Sequence, residues 1–194
     1  LLGEGKNIET GLQALPKIIE KEPNVLYLII GKTHPNLIKD GVDAYRDKLE
    51  GIVEDLNLKD NVRFINQYLD TNELLDYLKA TDVYLFTSKD PNQAVSGTFS
   101  YAISCGCPII STPIPHAREV LSSGAGIIVD FGDSQQLAKE VNRLLADEEL
   151  RKEISSTGLH TIAPAAWENS AIAHAKMLEK AGGKNLALKY RMPE

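Results

Sequence analysis

The residues from Gln93 to Thr112 are the ones best suited by type and spacing to hold a ligand: Gln-Ala-Val-Ser-Gly-Thr-Phe-Ser-Tyr-Ala-Ile-Ser-Cys-Gly-Cys-Pro-Ile-Ile-Ser-Thr. A glycine-containing loop feeds a short helix, then a glycine turn, then an apolar strand. This order points the backbone N–H groups of Ser96, Gly97 and Thr98 out of a helix start, where the peptide dipoles sum to about half a positive charge and attract phosphate. Lys6, beside Gly3 and Gly5 just ahead of the first helical pattern, supplies a mobile cation. If a strand precedes Leu1, Lys6 falls at the carboxyl edge of a sheet, where open parallel sheets bind ligands, and can grip a diphosphate together with Ser96–Thr98.

Other motifs are weaker. Gly31-Lys32-Thr33 ends like a P-loop, but the earlier glycine that such a loop requires is Leu26, so the phosphate cradle is missing. No Gly-x-Gly-x-x-Gly follows the first strand pattern, which disfavours ordinary dinucleotide binding. His34, His116, His160 and His174 are scattered without metal-ligand spacing, so no metal is expected. With no Gly-x-Ser-x-Gly elbow, acyl chemistry at Ser96 or Ser100 is disfavoured. Cys105 and Cys107 read as small buried thiols in a reducing compartment, without a disulfide.

The chain has 194 residues, enough to bury a sizeable core. Its net charge of −6 and isoelectric point near 5.3 leave no broad basic field for nucleic acid or an anionic membrane. Apolar runs such as Val25–Ile30 fall far short of the roughly 20 residues of a membrane span. No signal-peptide pattern is present, and a cytoplasmic protein is expected. Both ends, Leu1 without an initiator Met and Glu194, read as cut from something longer.

The positioning elements follow from periodicity. Ile8, Leu12, Leu15, Ile18 and Ile19 lie at helical spacing, and the apolar run to Ile30 is a strand covered on both faces. The helix-then-strand unit then repeats over 45–56 and 62–65, 73–80 and 83–86, 96–104 and 108–111, and 117–121 and 126–130. Five such units predict an α/β, Rossmann-like, doubly wound parallel sheet with right-handed crossovers. Helices alone are expected from Ser134: 134–146 behind an Asp133 cap, 148–157, and about 165–180, with Gly182-Gly183 as a stop. Residues 1–183 are thus expected to form one domain, and 184–194 an exit segment toward a further region.

Gly3-x-Gly5-Lys6-x-Ile8-Glu9, the strand ending at Gly31, Val62-Arg63-Phe64, Asp82-Val83-Tyr84, the 93–119 block and Gly126-Ile127-Ile128-Val129-x-x-Gly132-Asp133 occur in an order that resembles the donor-binding half of a retaining GT-B glycosyltransferase of family 4, the group 1 glycosyltransferases. The resemblance covers the chain to about Lys180. It implies that Lys6, with backbone N–H groups at Gly97 and Thr98, holds the diphosphate of a nucleotide-diphospho-sugar. Such proteins commonly carry an arginine five residues before that lysine; Leu1 stands there. Two glutamates separated by seven residues are usual, the first on the sugar and the second on the ribose; Gln93 and Tyr101 occupy those places. Gln93 can hydrogen-bond sugar hydroxyls but offers no charge. Tyr101 could reach a hydroxyl and reads slightly better as core. Asn66 and Gln67 match the segment that meets the base through backbone groups, Glu119 the acidic residue after the family's glycine turn, and His116 the sugar end of the cleft. Trp167 matches a terminal segment that packs across the two halves, and reads as an anchor.

The resemblance thus implies a hexosyltransferase domain that needs no cofactor beyond its nucleotide-sugar donor. Its partner would be an N-terminal acceptor-binding domain of the same protein, so that the 194 residues alone would fold but transfer nothing. The alternative is a non-catalytic nucleotide-sugar-binding or protein-interaction module; another GT-B activity such as sugar epimerisation fits the ordered motifs less well.

Overall fold

A computed structural model describes residues 1–182. It contains the expected alternation: α1 (Ile8–Ile19), β1 (Tyr27–Ile30), α2 (Ala44–Asp55), β2 (Val62–Ile65), α3 (Thr71–Lys79), β3 (Tyr84–Phe86), α4 (Gly97–Ser104), β4 (Ile109–Ser111), α5 (Pro115–Leu121) and β5 (Ile127–Ile128). Three further helices follow: α6 (Ser134–Ala146), α7 (Glu148–Ile162) and α8 (Trp167–Gly182).

All strand ladders are parallel, in two pieces. β1 pairs with β2, with Tyr27 opposite Val62 and Ile30 opposite Ile65, while β4 lies between β3 and β5. Between the carboxyl ends of the two pieces runs the first segment of the chain. Leu2 bridges to Thr33 in parallel, its N–H donating to Lys32 O at 2.8 Å, and Gly5 O accepts from Lys89 N–H at 3.1 Å. Lys6 therefore lies at the carboxyl edge, as its expected role requires.

Successive strand residues face opposite ways, and the core divides accordingly. Ile110 joins the cluster built by α1, α2 and α6 (Leu12, Leu15, Leu49, Val53, Leu137 and Val141), whereas Ile109 joins Leu78 of α3, Phe99 and Ile103 of α4, and Leu121 of α5. Helices on both sides of a parallel sheet constitute the doubly wound arrangement. Local signals set the helix starts. Asp133 accepts from the N–H groups of Gln135 and Gln136, and Asp70 and Glu73 form a reciprocal capping box on α3.

The helical tail departs from expectation. α7 continues to Ile162 rather than stopping at Thr157, because it packs on α4: a Cβ on Gly158 would lie 3.2 Å from the Ile103 side chain. Tertiary packing here outweighs the low helix propensity of Ser155, Ser156, Thr157 and Gly158. Trp167, read as an anchor, is 89% exposed at the start of α8, which leans chiefly on the short turn Ala163–Ala165. Gly182 is helical; Gly183 and the expected exit segment 184–194 lie outside the described residues. No described helix is long and apolar enough to cross a membrane.

Candidate functional site

Lys6 ends a short 3-10 turn, Glu4–Lys6, whose exit residue Asn7 takes a left-handed conformation at φ 51°. Asparagine tolerates that geometry better than most residues. Two bonds stitch this loop to the residues after β3: Thr87 Oγ1 donates to Lys6 O at 2.8 Å, and Lys89 N–H donates to Gly5 O. The Lys6 ammonium sits 5.6 Å from the centroid of the Phe86 ring. That cation–π contact contributes about 0.5–1 kcal/mol at a partly exposed site. Among the described residues no acidic group pairs with this ammonium.

Opposite Lys6, the polar loop leaving β3 is held by its own side chains. Thr112 Oγ1 donates to Ser88 O at 2.6 Å, Ser88 Oγ donates to Gln93 Oε1 at 2.7 Å, and Gln93 Nε2 donates to Val95 O at 3.3 Å. The Val95 carbonyl, which can only accept, fixes which end of the Gln93 amide faces it and so turns Oε1 to Ser88, and one Nε2 hydrogen and one Oε1 lone pair remain for a ligand. Lys6, His34, Leu37, Ser88, Asp90 and Gln93 line a cleft of about 450 Å³ together with residues 1–5. Lys6 and Gln93, 87 positions apart, thus share one cavity.

The start of α4 is next to this cleft but does not line it. Phe86, under Lys6, meets Phe99 edge to face at 5.8 Å between centroids, and Phe99 lies 4.8 Å from the His116 ring. Ser96 caps α4 by accepting from Phe99 N–H. The three free N–H groups expected there reduce to two. Ser96 N–H donates to His116 Nδ1 at 3.4 Å, whereas those of Gly97 and Thr98 have no partner among the described residues, and both residues are exposed. Burial lowers the pKa of His116 below its ordinary value, outweighing the opposite pull of Glu119. The ring is therefore neutral near pH 7, with Nδ1 able to accept.

The remaining expected residues are more dispersed. Tyr101 is 43% exposed on α4, so the core reading does not hold. It shares a face with exposed Gly97 one turn earlier. Glu119 is exposed on α5. Asn66 and Gln67 leave the carboxyl end of β2, beside the end of β1. Cys105 and Cys107 are both free thiols. Cys107 is buried and its pKa is pushed up to about 12, chiefly by that burial.

Sequence reasoning missed Ser88, Asp90 and His34 as cleft residues. Their signal was position: each follows the carboxyl end of a parallel strand, the edge where such sheets place ligands. It also missed Arg46, buried in α2, which bonds Gly31 O and Asn66 Oδ1.

The chain is similar to known proteins. The model of the family described as Glycosyl transferases group 1 matches residues 2–160. The lipopolysaccharide core biosynthesis glycosyltransferase LpsE of Rhizobium meliloti is 25% identical over 164 residues, covering 84% of this chain and 44% of that protein. The chain therefore spans less than half the length of that relative. Among solved structures, the C-terminal domain of the glycosyl transferase group 1 family protein LpcC from Francisella tularensis superposes with a TM-score of 0.72 at 22% identity, covering 84% of this chain and 80% of that one. Anabaena Alr3699/HepE, in complex with UDP and glucose, gives a TM-score of 0.75 at 22% identity over 89% of this chain and 45% of that one. With a family match over most of its length and the fold of GT-B glycosyltransferase domains, this chain belongs to the group 1 glycosyltransferases.

Proposed function

We propose that residues 1–183 form the donor-binding half of a glycosyltransferase that moves a hexosyl group from a nucleotide-diphospho-sugar to an acceptor with retention, the acceptor being held by a further domain. The observation that carries this reading is the shared cleft of Lys6 and Gln93, whose lysine has no acidic partner among the described residues. The Anabaena relative crystallised with UDP and glucose supports the donor class.

In this reading Lys6 and the N–H groups of Gly97 and Thr98 bind the diphosphate and stabilise it as it departs. Gln93, oriented by Ser88, hydrogen-bonds sugar hydroxyls. The bond from the anomeric carbon to the diphosphate oxygen breaks, a bond to the acceptor oxygen forms on the same face, and the acceptor proton passes to the leaving phosphate. His116 acts indirectly by fixing Ser96, and with it the direction of α4. Asn66 and Gln67 meet the base, and Tyr101 and Glu119 border the ribose and sugar ends. A second reading, a binding module without turnover, is favoured by one observation: neutral Gln93 and Tyr101 stand at the two positions that resemble the family's glutamates.

Titration calorimetry with UDP, GDP, ADP and CDP and their hexosyl esters tests the site. Binding that is weakened by Lys6→Ala and by Thr98→Pro, which removes one N–H at a helix position that tolerates proline, is the expected result. No binding of any ligand would overturn donor binding.

A further inference from the structure

Arg46 is 8% exposed, an unusual place for a guanidinium, and its hydrogen bonds show what it holds. Its Nη2 donates to Gly31 O at 3.0 Å, at the end of β1, and to Asn66 Oδ1 at 3.2 Å, at the end of β2. Its guanidinium carbon lies 5.3 Å from the centroid of the Phe64 ring. Asp43 Oδ2 is 3.7 Å from its Nε, which makes no hydrogen bond. A buried charge held this way fixes its partners in place.

A guanidinium only donates, so Asn66 can turn only its oxygen toward Arg46. The amide orientation is thereby settled by chemistry: Nδ2 lies on the other side, on an exposed residue, with no partner among the described residues. Gly31, whose carbonyl shares the Arg46 Nη2, adjoins the cleft. Leu2 N–H bonds the next carbonyl, that of Lys32, and Leu1 and Leu2 line the cavity wall. Asn66 thus presents a preset pair of N–H donors at the carboxyl edge, just past the strand next to the one that leads to Gly31.

We propose that Asn66 Nδ2, oriented by Arg46, reads the base of the bound nucleoside diphosphate and selects bases that present an oxo group. Uracil through O4 and guanine through O6 offer it an acceptor, whereas cytosine and adenine offer an amino group at the same edge. A donor facing a donor leaves both unpaired on desolvation. Asn66 is then a specificity-determining residue and Arg46 a positioning residue. The inference rests on the donor-binding reading and deepens it.

The matched pairs UDP with CDP, and GDP with ADP, differ at this edge, and calorimetric titration of the purified chain compares them. The expected result is that UDP and GDP each bind at least about tenfold tighter than their partners. Asn66→Asp keeps one oxygen on Arg46 and turns an acceptor outward. Its added charge weakens every diphosphate, so the ratio is the readout, and the UDP to CDP ratio is expected to fall by at least about tenfold. Asn66→Ala brings that ratio to within about twofold of unity. Arg46→Met frees the amide to rotate and also collapses the ratio, whereas a purely structural arginine would lower the melting temperature and leave the ratio unchanged. Equal native affinities, tighter binding of CDP or ADP, or an unchanged ratio in Asn66→Asp would overturn this inference while leaving donor binding intact. Failure to bind all four would overturn both.

Discussion

Replacing Lys6 with methionine keeps the length and apolar stem of the side chain and removes its charge. A hydrogen bond to a charged group contributes about 1.5–3 kcal/mol. In the unliganded protein, however, the ammonium already interacts with the Phe86 ring 5.6 Å away, an interaction of about 0.5–1 kcal/mol that the lysine partly gives up to reach a phosphate. The difference is about 1–2 kcal/mol, or roughly five- to thirtyfold in Kd. Lys6 is only partly buried, so salt screening reduces the effect and the native protein should lose affinity with ionic strength faster than the variant. Calorimetry with UDP and with uridine separates the sources: Lys6→Met is expected to weaken UDP and leave uridine unchanged. Thermal melting should move by no more than about 2–4 °C, since among the described residues the ring contact is the one attractive interaction the ammonium makes. Unchanged UDP affinity, or an equal loss for uridine, would refute the assignment of Lys6 to the diphosphate.

A Cβ on Gly126 would lie 2.7 Å from the carbonyl oxygen of Ile109 and 2.8 Å from Leu121 Cδ2, so Gly126→Ala is expected to cost about 1–3 kcal/mol and lower the melting temperature by roughly 2–12 °C, with an unchanged melt contradicting the packing. His116 has its pKa lowered by burial, so below its ordinary value of 6.5 the unfolded chain takes up the proton before the folded one does. Stability from this group is therefore complete above that value and falls as pH drops toward the folded value. Denaturant melts between about pH 7.5 and pH 5.5 should show native protein losing more stability than His116→Gln, and equal losses would count against the buried neutral ring.

Periodicity revealed the alternation of helix and strand, because short runs rich in apolar residues, β1 the clearest, alternate with segments whose apolar residues fall on one helical face. α1 illustrates this: Ile8, Leu12, Leu15 and Ile18, read as one stripe, are all buried. The length of α7 was not legible, because what extends it is the close approach of Gly158 to Ile103, a contact between segments 55 positions apart. Trp167, whose reading as an anchor came from resemblance to a segment that packs across the two halves, finds no cover among the described residues. At the site, Lys6 and Gln93 could be paired through the rule that ligands gather at the carboxyl edge. The fate of Ser96 N–H could not, because its partner His116 comes from another helix. Arg46 escaped for a related reason: in sequence it is one more charged residue on a polar helix face, and only the fold surrounds it with Gly31, Phe64 and Asn66.

The bond from Thr87 Oγ1 to Lys6 O closes a loop of 81 positions. Because closure entropy grows with loop length and must be met before the contact forms, the cleft assembles only after the intervening helix and strand units have docked. A ligand in it therefore recognises the completed fold and no partial one. Amides in β1, α2, β2 and α3, which touch no phosphate, should gain hydrogen-exchange protection on nucleotide binding wherever they exchange through global opening.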